Sequence, residues 1–79
     1  MKLSVVIPCF NEEKTVANLI NEVKKSGIND LEIIIVDDCS TDGTINILRA
    51  IKEENIRVFY HDRNRGKGAA LRTGFRNAN

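Results

Sequence analysis

The sequence predicts a small α/β domain with a three-stranded parallel sheet, in which strands and helices alternate in the order β-α-β-α-β-α. The first observation is that three apolar runs rich in β-branched residues alternate with three amphipathic stretches. The second is that two of these runs are continuously apolar, which is typical of parallel strands because helices cover both of their faces. Right-handed crossovers would then place the strands side by side.

The predicted strands are Leu3–Ile7, Leu31–Val36 and Ile56–Tyr60. The third run is weaker than the others and is interrupted by Arg57, which suits an edge position. Since the pattern of the first strand calls for cover on both faces, and only three strands are built before the chain stops, we expect residues 1–79 to be the first part of a larger domain.

The first predicted helix runs from about Glu12 to Ser26, and Gly27 supplies its C-terminal stop. Its apolar residues recur at i, i+3, i+4 and i+7, which draws one stripe along a helix. They are Val16, Leu19, Ile20 and Val23.

The second predicted helix repeats this spacing, with Ser40 or Thr41 as its N-cap and Asn55 as its left-handed terminator. Its apolar face consists of Thr44, Ile47, Leu48 and Ile51. The third helix is predicted from about Lys67 to Ala78. Its apolar side consists of Leu71, Phe75 and Ala78.

Composition limits the classes of function. The chain of 79 residues is 42% hydrophobic and 29% charged, which is ordinary for a soluble domain. Its net charge of +1 gives no general field for nucleic acid. No run approaches the ~18 apolar residues of a membrane-spanning helix, and the N-terminus does not resemble a signal peptide. We therefore expect a cytoplasmic or cytosol-facing protein that does not bind nucleic acid and makes no membrane contact through this segment.

The two cysteines, Cys9 and Cys39, lack the spacing of a metal site, and the single histidine, His61, lies far from them in sequence. Reduced, packed thiols are the prediction. A disulfide is geometrically possible if the two preceding strands are neighbours.

Three segments at the carboxyl ends of the predicted strands carry the candidate functional residues, because ligands of parallel α/β sheets bind at that edge. In the first, "VVIPCFNEE", Pro8 ends the strand, Phe10 offers a flat apolar surface, and Glu12 offers acceptors. Stacking on a base and gripping ribose hydroxyls would serve a nucleoside. The alternative is that Phe10 packs in the core and Glu12 only complements the helix dipole.

The second segment, "VDDCSTDGT", contains the consecutive acids Asp37 and Asp38. Consecutive residues of a strand point to opposite sides, so the two carboxylates should have different roles. One would brace the loop through Ser40 and Thr41, and the other would face the cleft and accept a hydrogen bond from a base N–H. The alternative is a turn in which these side chains only bind their own backbone.

The third segment, "HDRNRGKGAALRTGF", places cations and glycines before a helix N-terminus, an arrangement that commonly holds phosphate. Its cations are Arg63, Arg65 and Lys67, and its glycines are Gly66 and Gly68. It matches neither the P-loop nor the dinucleotide fingerprint. The alternative is a glycine turn with solvated cations.

In this order and spacing, the three segments closely resemble the family 2 glycosyltransferases, over essentially the whole chain. Within that family, "RNRGKGAALRTGF" looks most like the polyprenol-phosphate sugar transferases, the dolichyl-phosphate mannose synthase-like group. The resemblance implies the Rossmann-like N-terminal half of a GT-A fold and a nucleoside diphosphate sugar of UDP or GDP type as partner.

The resemblance also implies roles for single residues. The nucleotide-binding positions that it marks are Pro8, Phe10, Glu12, Val36, Asp38 and Lys67. The first three match contacts to base and ribose, with Phe10 in place of the commoner tyrosine. Asp38 matches the acid that bonds the base, Val36 would line that pocket, and Lys67 matches a basic position near base or diphosphate. Asp37 is expected to give structural support.

The motif with which this family holds Mg²⁺ or Mn²⁺, D-x-D, and the catalytic base come later than these segments. No catalytic residue or metal ligand is therefore assigned here, and the chain alone is expected not to transfer sugar. The whole protein is expected to use a metal and to pass its sugar to an acceptor, polyprenyl phosphate being the one that the subgroup implies.

Two alternatives stay open. The chain could be a non-catalytic folding fragment or half-domain that pairs with a second copy through its open sheet edge. A phosphoacceptor receiver domain shares the element order, but its acid pair would follow the first strand, which here ends in Pro8.

Overall fold

A computed structural model describes residues 3–25 and 30–78. Its elements are β1 (Leu3–Cys9), α1 (Val16–Lys24), β2 (Leu31–Asp37), α2 (Thr44–Arg49), β3 (Ile56–Tyr60) and α3 (Lys67–Asn77). The three strands are parallel and form one sheet in the order β1-β2-β3. The predicted fold class and element order are thus confirmed.

The central strand, β2, is buried along its whole length. Ile35 pairs with Ile7 of β1 on one side and with Val58 of β3 on the other. This position explains why the sequence of β2 is continuously apolar, since both of its faces and both of its edges are covered. β3 lies at one edge, as its weaker pattern predicts, and within the described residues β1 forms the other edge.

Helices cover the two faces of the sheet unequally. The odd-numbered residues of β2, such as Ile33 and Ile35, pack with Val16 and Ile20 of α1 and with Leu48 of α2. The even-numbered residues face the opposite side, because successive strand residues alternate between faces. There Ile34 and Val36 pack with Ala70 of α3, which lies over β1 and β2. The chain therefore changes sides of the sheet between β3 and α3.

α1 is shorter than predicted, since it begins at Val16 and not near Glu12. A turn precedes it, in which the Glu12 carbonyl accepts hydrogen bonds from the amides of Thr15 and Val16. Of the predicted apolar stripe, Val16 and Ile20 are buried, but Leu19 is 46% exposed. Gly27, the predicted stop, and the side chain of Val23 lie outside the described residues.

The predicted ends of α2 are wrong. Gly43 occupies the N-cap position, and no side chain caps the helix there. Ser40 and Thr41 instead bind the loop after β1, as described below. The helix ends at Arg49, and Asn55 is not left-handed: its carbonyl accepts from Ile33 N at 2.8 Å and its side-chain amide donates to Leu31 O at 3.2 Å. Asn55 thus holds the start of β3 to β2.

The buried face of α3 also differs from the prediction. Ala70 and Gly74 are its buried residues, whereas Phe75 is 65% exposed. Small residues four apart let the helix approach the sheet closely, and a Cβ on Gly74 would lie 2.2 Å from Val6 Cγ1. The prediction relied on large apolar residues, and the buried face of α3 is instead formed by the small residues Ala70 and Gly74.

Candidate functional site

A pocket of about 350 Å³ opens at the carboxyl ends of β1 and β2, beside the N-terminus of α3. The segments after all three strands contribute to it. Its lining residues are Pro8, Cys9, Phe10, Glu12, Asp38, Asn64, Gly66, Lys67 and Ala70. The three sequence segments that carry the candidate functional residues therefore meet in one place.

Five of the six predicted nucleotide-binding residues line this pocket: Pro8, Phe10, Glu12, Asp38 and Lys67. The sixth, Val36, is completely buried in the core on the α3 side of the sheet and is not among the lining residues. Phe10 is 43% exposed, so the alternative that it packs in the core is wrong. The alternative for Glu12 was that it complements the dipole of α1. The helix begins only at Val16, so Glu12 does not lie in its first turn.

The loop after β1 is fixed in place by the loop after β2. The Asn11 amide donates to Ser40 Oγ at 2.9 Å, and the Thr41 amide donates back to Asn11 Oδ1 at 2.8 Å. Asn11 has a φ of 52°, in the left-handed region that asparagine tolerates better than most residues. These bonds fix the backbone between Phe10 and Glu12.

Thr44 and Asp42 extend this network. The Glu12 amide donates to Thr44 Oγ1 at 2.9 Å. Asp42 accepts from the Thr44 amide at 2.9 Å, from the Thr44 hydroxyl, and from the Glu13 amide at 3.4 Å. Burial alone would raise the pKa of Asp42, but the hydrogen bonds from Thr44 and Glu13 outweigh it and lower that pKa. The "STDGT" sequence thus serves as a scaffold for the loop that carries Phe10 and Glu12.

Asp37 and Asp38 point to opposite sides of the sheet, as their adjacency predicts. Asp37 is completely buried and accepts hydrogen bonds from the amide and hydroxyl of Ser40. The predicted brace through Ser40 is present. Thr41 does not take part in it, because its amide is bound to Asn11.

Asp38 faces the pocket but is mostly engaged by the protein itself. Its Oδ1 accepts from Arg65 N at 2.8 Å and lies 2.8 Å from His61 Nδ1, while Oδ2 accepts from Gly66 N at 2.8 Å. Burial would raise the pKa of Asp38, but the Arg65 and Gly66 amides and His61 lower it below the usual value. A carboxylate has about four acceptor positions, and three of them are occupied here. One acceptor position, on Oδ2, is left for a ligand.

The sequence analysis missed His61 and Thr73. His61 Nε2 lies 2.8 Å from Thr73 Oγ1, so the imidazole sits between Asp38 and α3 with only 7% of its side chain exposed. His61 comes directly after the third strand and is level with Asp38, and this position in the sequence could have marked it as a site residue. Nothing in the sequence marks Thr73, because its contact depends on where α3 crosses the sheet.

The carboxylate of Glu12 is exposed at the pocket and accepts one hydrogen bond, from Thr15 Oγ1 to Oε2 at 2.8 Å. On the other side, Arg65 is paired with Asp62 at 3.6 Å, while Lys67 is exposed at the start of α3. The pocket therefore has one acidic residue, Glu12, on its wall toward α1 and one basic residue, Lys67, on its wall at α3.

Residues 3–25 and 30–78 include no group of three or more ligating side chains that could hold a metal ion. Asp37 and Asp38 do not form one, because they lie on opposite sides of the sheet and bind donors of the protein. These residues therefore do not fit the Mg²⁺ or Mn²⁺ expected of the whole protein.

Both cysteines are free. Cys9 is buried, and burial together with the charge of Asp37 raises the pKa of its thiol to about 12. Among the described residues, no helix has the length and apolar character needed to cross a bilayer.

Known proteins resemble this chain along its whole length. The family model described as Glycosyl transferase family 2 matches residues 4–79. An uncharacterized protein of Methanocaldococcus jannaschii is 42% identical over 75 residues, which cover 95% of this chain and 29% of that protein.

Two solved structures share the fold. Staphylococcus aureus TarS 1-349, crystallised in complex with UDP, matches with a TM-score of 0.88 and 33% identity, over 99% of this chain and 24% of that one. Mannosyltransferase PcManGT from Pyrobaculum calidifontis, in complex with GDP-Man and Mn²⁺, matches with a TM-score of 0.86 and 26% identity, again over 99% and 24%. The expected Rossmann-like GT-A half is thereby confirmed, and the chain spans less than a third of each of these proteins.

Proposed function

The chain belongs to glycosyl transferase family 2, and from that premise we propose that its pocket binds the nucleoside diphosphate part of a sugar donor. The observation that carries the proposal is that Phe10, Glu12, Asp38 and Lys67 line one pocket although they come from three different strand ends. Its volume of about 350 Å³ falls at the lower end of the range of about 300–1,000 Å³ that is usual for small-molecule sites.

Each wall of the pocket suits one part of the ligand. The exposed ring of Phe10 offers a surface on which a base stacks. The remaining acceptor position of Asp38 Oδ2 suits a ring N–H of uracil or guanine, and the Glu12 carboxylate suits ribose hydroxyls. Lys67 and the N-terminus of α3 supply positive charge for the diphosphate.

We propose a donor of the UDP or GDP type. This is supported by the two similar structures, which are described with UDP and with GDP-Man. Mg²⁺ or Mn²⁺ is proposed to act in the whole protein and to be held outside these residues, in keeping with the Mn²⁺ described for the mannosyltransferase. The 79-residue chain is then the nucleotide-binding part of a larger domain and does not transfer sugar by itself.

We propose two competing acceptors. The first is polyprenyl phosphate at the cytosolic side of a membrane, which we propose because residues 63–75 resemble the polyprenol-phosphate sugar transferases. TarS, in contrast, is named a poly(ribitol-phosphate) β-N-acetylglucosaminyltransferase, so a polymeric acceptor is the competing proposal. Transfer assays with the whole protein on each acceptor would distinguish them.

Amide chemical shifts of the ¹⁵N-labelled chain during titration with UDP and GDP test nucleotide binding. We expect shifts at Phe10 to Glu12, at Asp38 and at Gly66 and Lys67, since these positions come from three strand ends. Titration with inorganic pyrophosphate is the control and should shift only the α3 wall. If UDP and GDP also shift residues 61–68 alone, the chain senses only phosphate and the proposed base pocket is wrong.

A second candidate is the self-associating half-domain. It is favoured by one observation, that β1 pairs only with β2 among the described residues and so forms a sheet edge. Open edges invite pairing with another chain. Size-exclusion chromatography with light scattering tests it, and a monomer at high concentration would exclude this candidate.

A further inference from the structure

His61 makes hydrogen bonds through its backbone amide and through both nitrogens of its ring. Its amide donates to Asp37 O at 2.8 Å, which extends the pairing of β2 and β3 by one residue. Its imidazole reaches Asp38 Oδ1 with Nδ1 and Thr73 Oγ1 with Nε2, each at 2.8 Å. One side chain therefore joins the carboxyl ends of two strands to the middle of α3.

The chemistry of Asp38, His61 and Thr73 determines which of them donates and which accepts in these two hydrogen bonds. An ionised carboxylate only accepts, so Nδ1 carries a proton and donates a hydrogen bond to Asp38. The Thr73 hydroxyl both donates and accepts, and therefore pairs with Nε2 whether or not that nitrogen carries a proton. The arrangement is satisfied in both charge states of His61.

The same carboxylate fixes the pocket wall. Asp38 accepts from the amides of Arg65 and Gly66, immediately before Lys67 begins α3. Gly66 has a φ of 92°, which residues with a side chain rarely adopt, so its amide is directed at Asp38 by an unusual backbone conformation. The position of Asp38 thus determines where the start of α3 lies.

We propose that His61 is a positioning residue of the pocket. By holding Asp38 from one side and Thr73 from the other, it sets the distance between the end of β2 and α3, and hence the gap into which a ligand fits. It does not line the pocket and is not proposed to touch the ligand. The part of the proposal that concerns ligand affinity rests on the proposed nucleotide binding.

Three substitutions distinguish the effect of the two hydrogen bonds of the His61 ring from the effect of its volume. His61→Leu removes both bonds, and Thr73→Val breaks only the bond to α3 while keeping the shape of the side chain. His61→Gln keeps an N–H donor and a carbonyl acceptor on one amide group. Asn46→Ala, at an exposed position of α2 that does not line the pocket, is the control for folding.

The first measurement needs no ligand. Hydrogen exchange of the Arg65 and Gly66 amides should accelerate about tenfold in Thr73→Val and more in His61→Leu. The reason is that the Asp38 carboxylate, to which both amides donate, is held less firmly when His61 or its bond to Thr73 is lost. The His61 Nδ1 resonance should show a retained proton in the unsubstituted chain. His61→Gln should restore most of the protection.

The second measurement is the Kd for UDP and for GDP. We expect it to rise about tenfold in His61→Leu, less in Thr73→Val, and to change by less than about twofold in His61→Gln and Asn46→Ala. If Thr73→Val keeps both amide protection and affinity unchanged, or if His61→Gln is as impaired as His61→Leu, the proposal is wrong. If the unsubstituted chain binds neither nucleotide, the proposed function fails, and amide exchange alone decides the role of His61.

Discussion

Gly74 of α3 lies so close to Val6 of β1 that a Cβ on the glycine would fall 2.2 Å from Val6 Cγ1. Gly74→Ala should therefore destabilise the fold, by about 1–3 kcal/mol, because either the helix or the strand must move. The free energy of unfolding from urea denaturation, followed by circular dichroism, measures this.

Gly68→Ala is the matched control on the same helix. A Cβ there would lie 3.5 Å from the flexible end of Arg72. It should leave stability unchanged or raise it by up to about 1 kcal/mol through helix propensity. Equal stabilities of the two alanine variants would contradict the close approach of α3 to β1.

Ser40→Ala should destabilise the loops that carry the pocket. Ser40 donates to Asp37 Oδ1 and accepts from the Asn11 amide, so its loss removes the hydroxyl partner of a buried carboxylate oxygen, at a cost of about 1–3 kcal/mol. Thr41→Ala is the control, since its side chain is exposed and its main contact, from its amide to Asn11, is kept. An unchanged midpoint of urea unfolding in Ser40→Ala would show that this network does not support the fold.

Stability should decline at low pH because Asp38 and Asp42 have lowered pKa values in the fold. For such groups the stabilisation is complete above the pKa of the unfolded chain, about 3.9, and is lost as pH falls through the lower pKa of the folded state. Denaturation curves between pH 2 and 6 should show this decline, and it should be shallower in Asp38→Asn. Equal slopes in both proteins would remove Asp38 as a cause.

Phe10→Ala should weaken UDP and GDP binding with little effect on stability, since the ring is 43% exposed. Stacking of a base on an aromatic ring contributes about 1–3 kcal/mol, or roughly five- to 150-fold in Kd. Phe10→Tyr should keep the affinity, and Phe75→Ala, on the exposed side of α3, should not change it. Calorimetric titration measures all three, and wild-type affinity in Phe10→Ala would exclude stacking.

Much of the fold follows from the sequence because β1 and β2 are continuously apolar, a pattern that is typical of parallel strands. Helix ends were harder to predict. Ser40 and Thr41 have the chemistry of N-caps, but both bind Asn11 of the loop after β1, and Ser40 also binds Asp37, three residues before it. Local preference is a weak guide where a side chain finds a distant partner.

The sequence predicts that the three segments meet, because each of them follows the end of a parallel strand. Phe10, Glu12 and Asp38 meet because parallel strands end at one edge of a sheet. Val36 does not line the pocket, although it is only two residues from Asp38, because it lies deeper in the core. The contact of His61 with Thr73 depends on the crossing of a helix over the sheet, which no spacing in the sequence encodes.

The passage of the chain from one side of the sheet to the other, between β3 and α3, has an evolutionary consequence. The six elements are held by the two cores, whereas residues 61–66 cross the open rim and are mostly exposed. Insertions or substitutions at residues 62–65 of this crossing would reshape the pocket while the layers beneath it kept their packing. Related proteins could in this way diversify the molecules they accept without redesigning their scaffold.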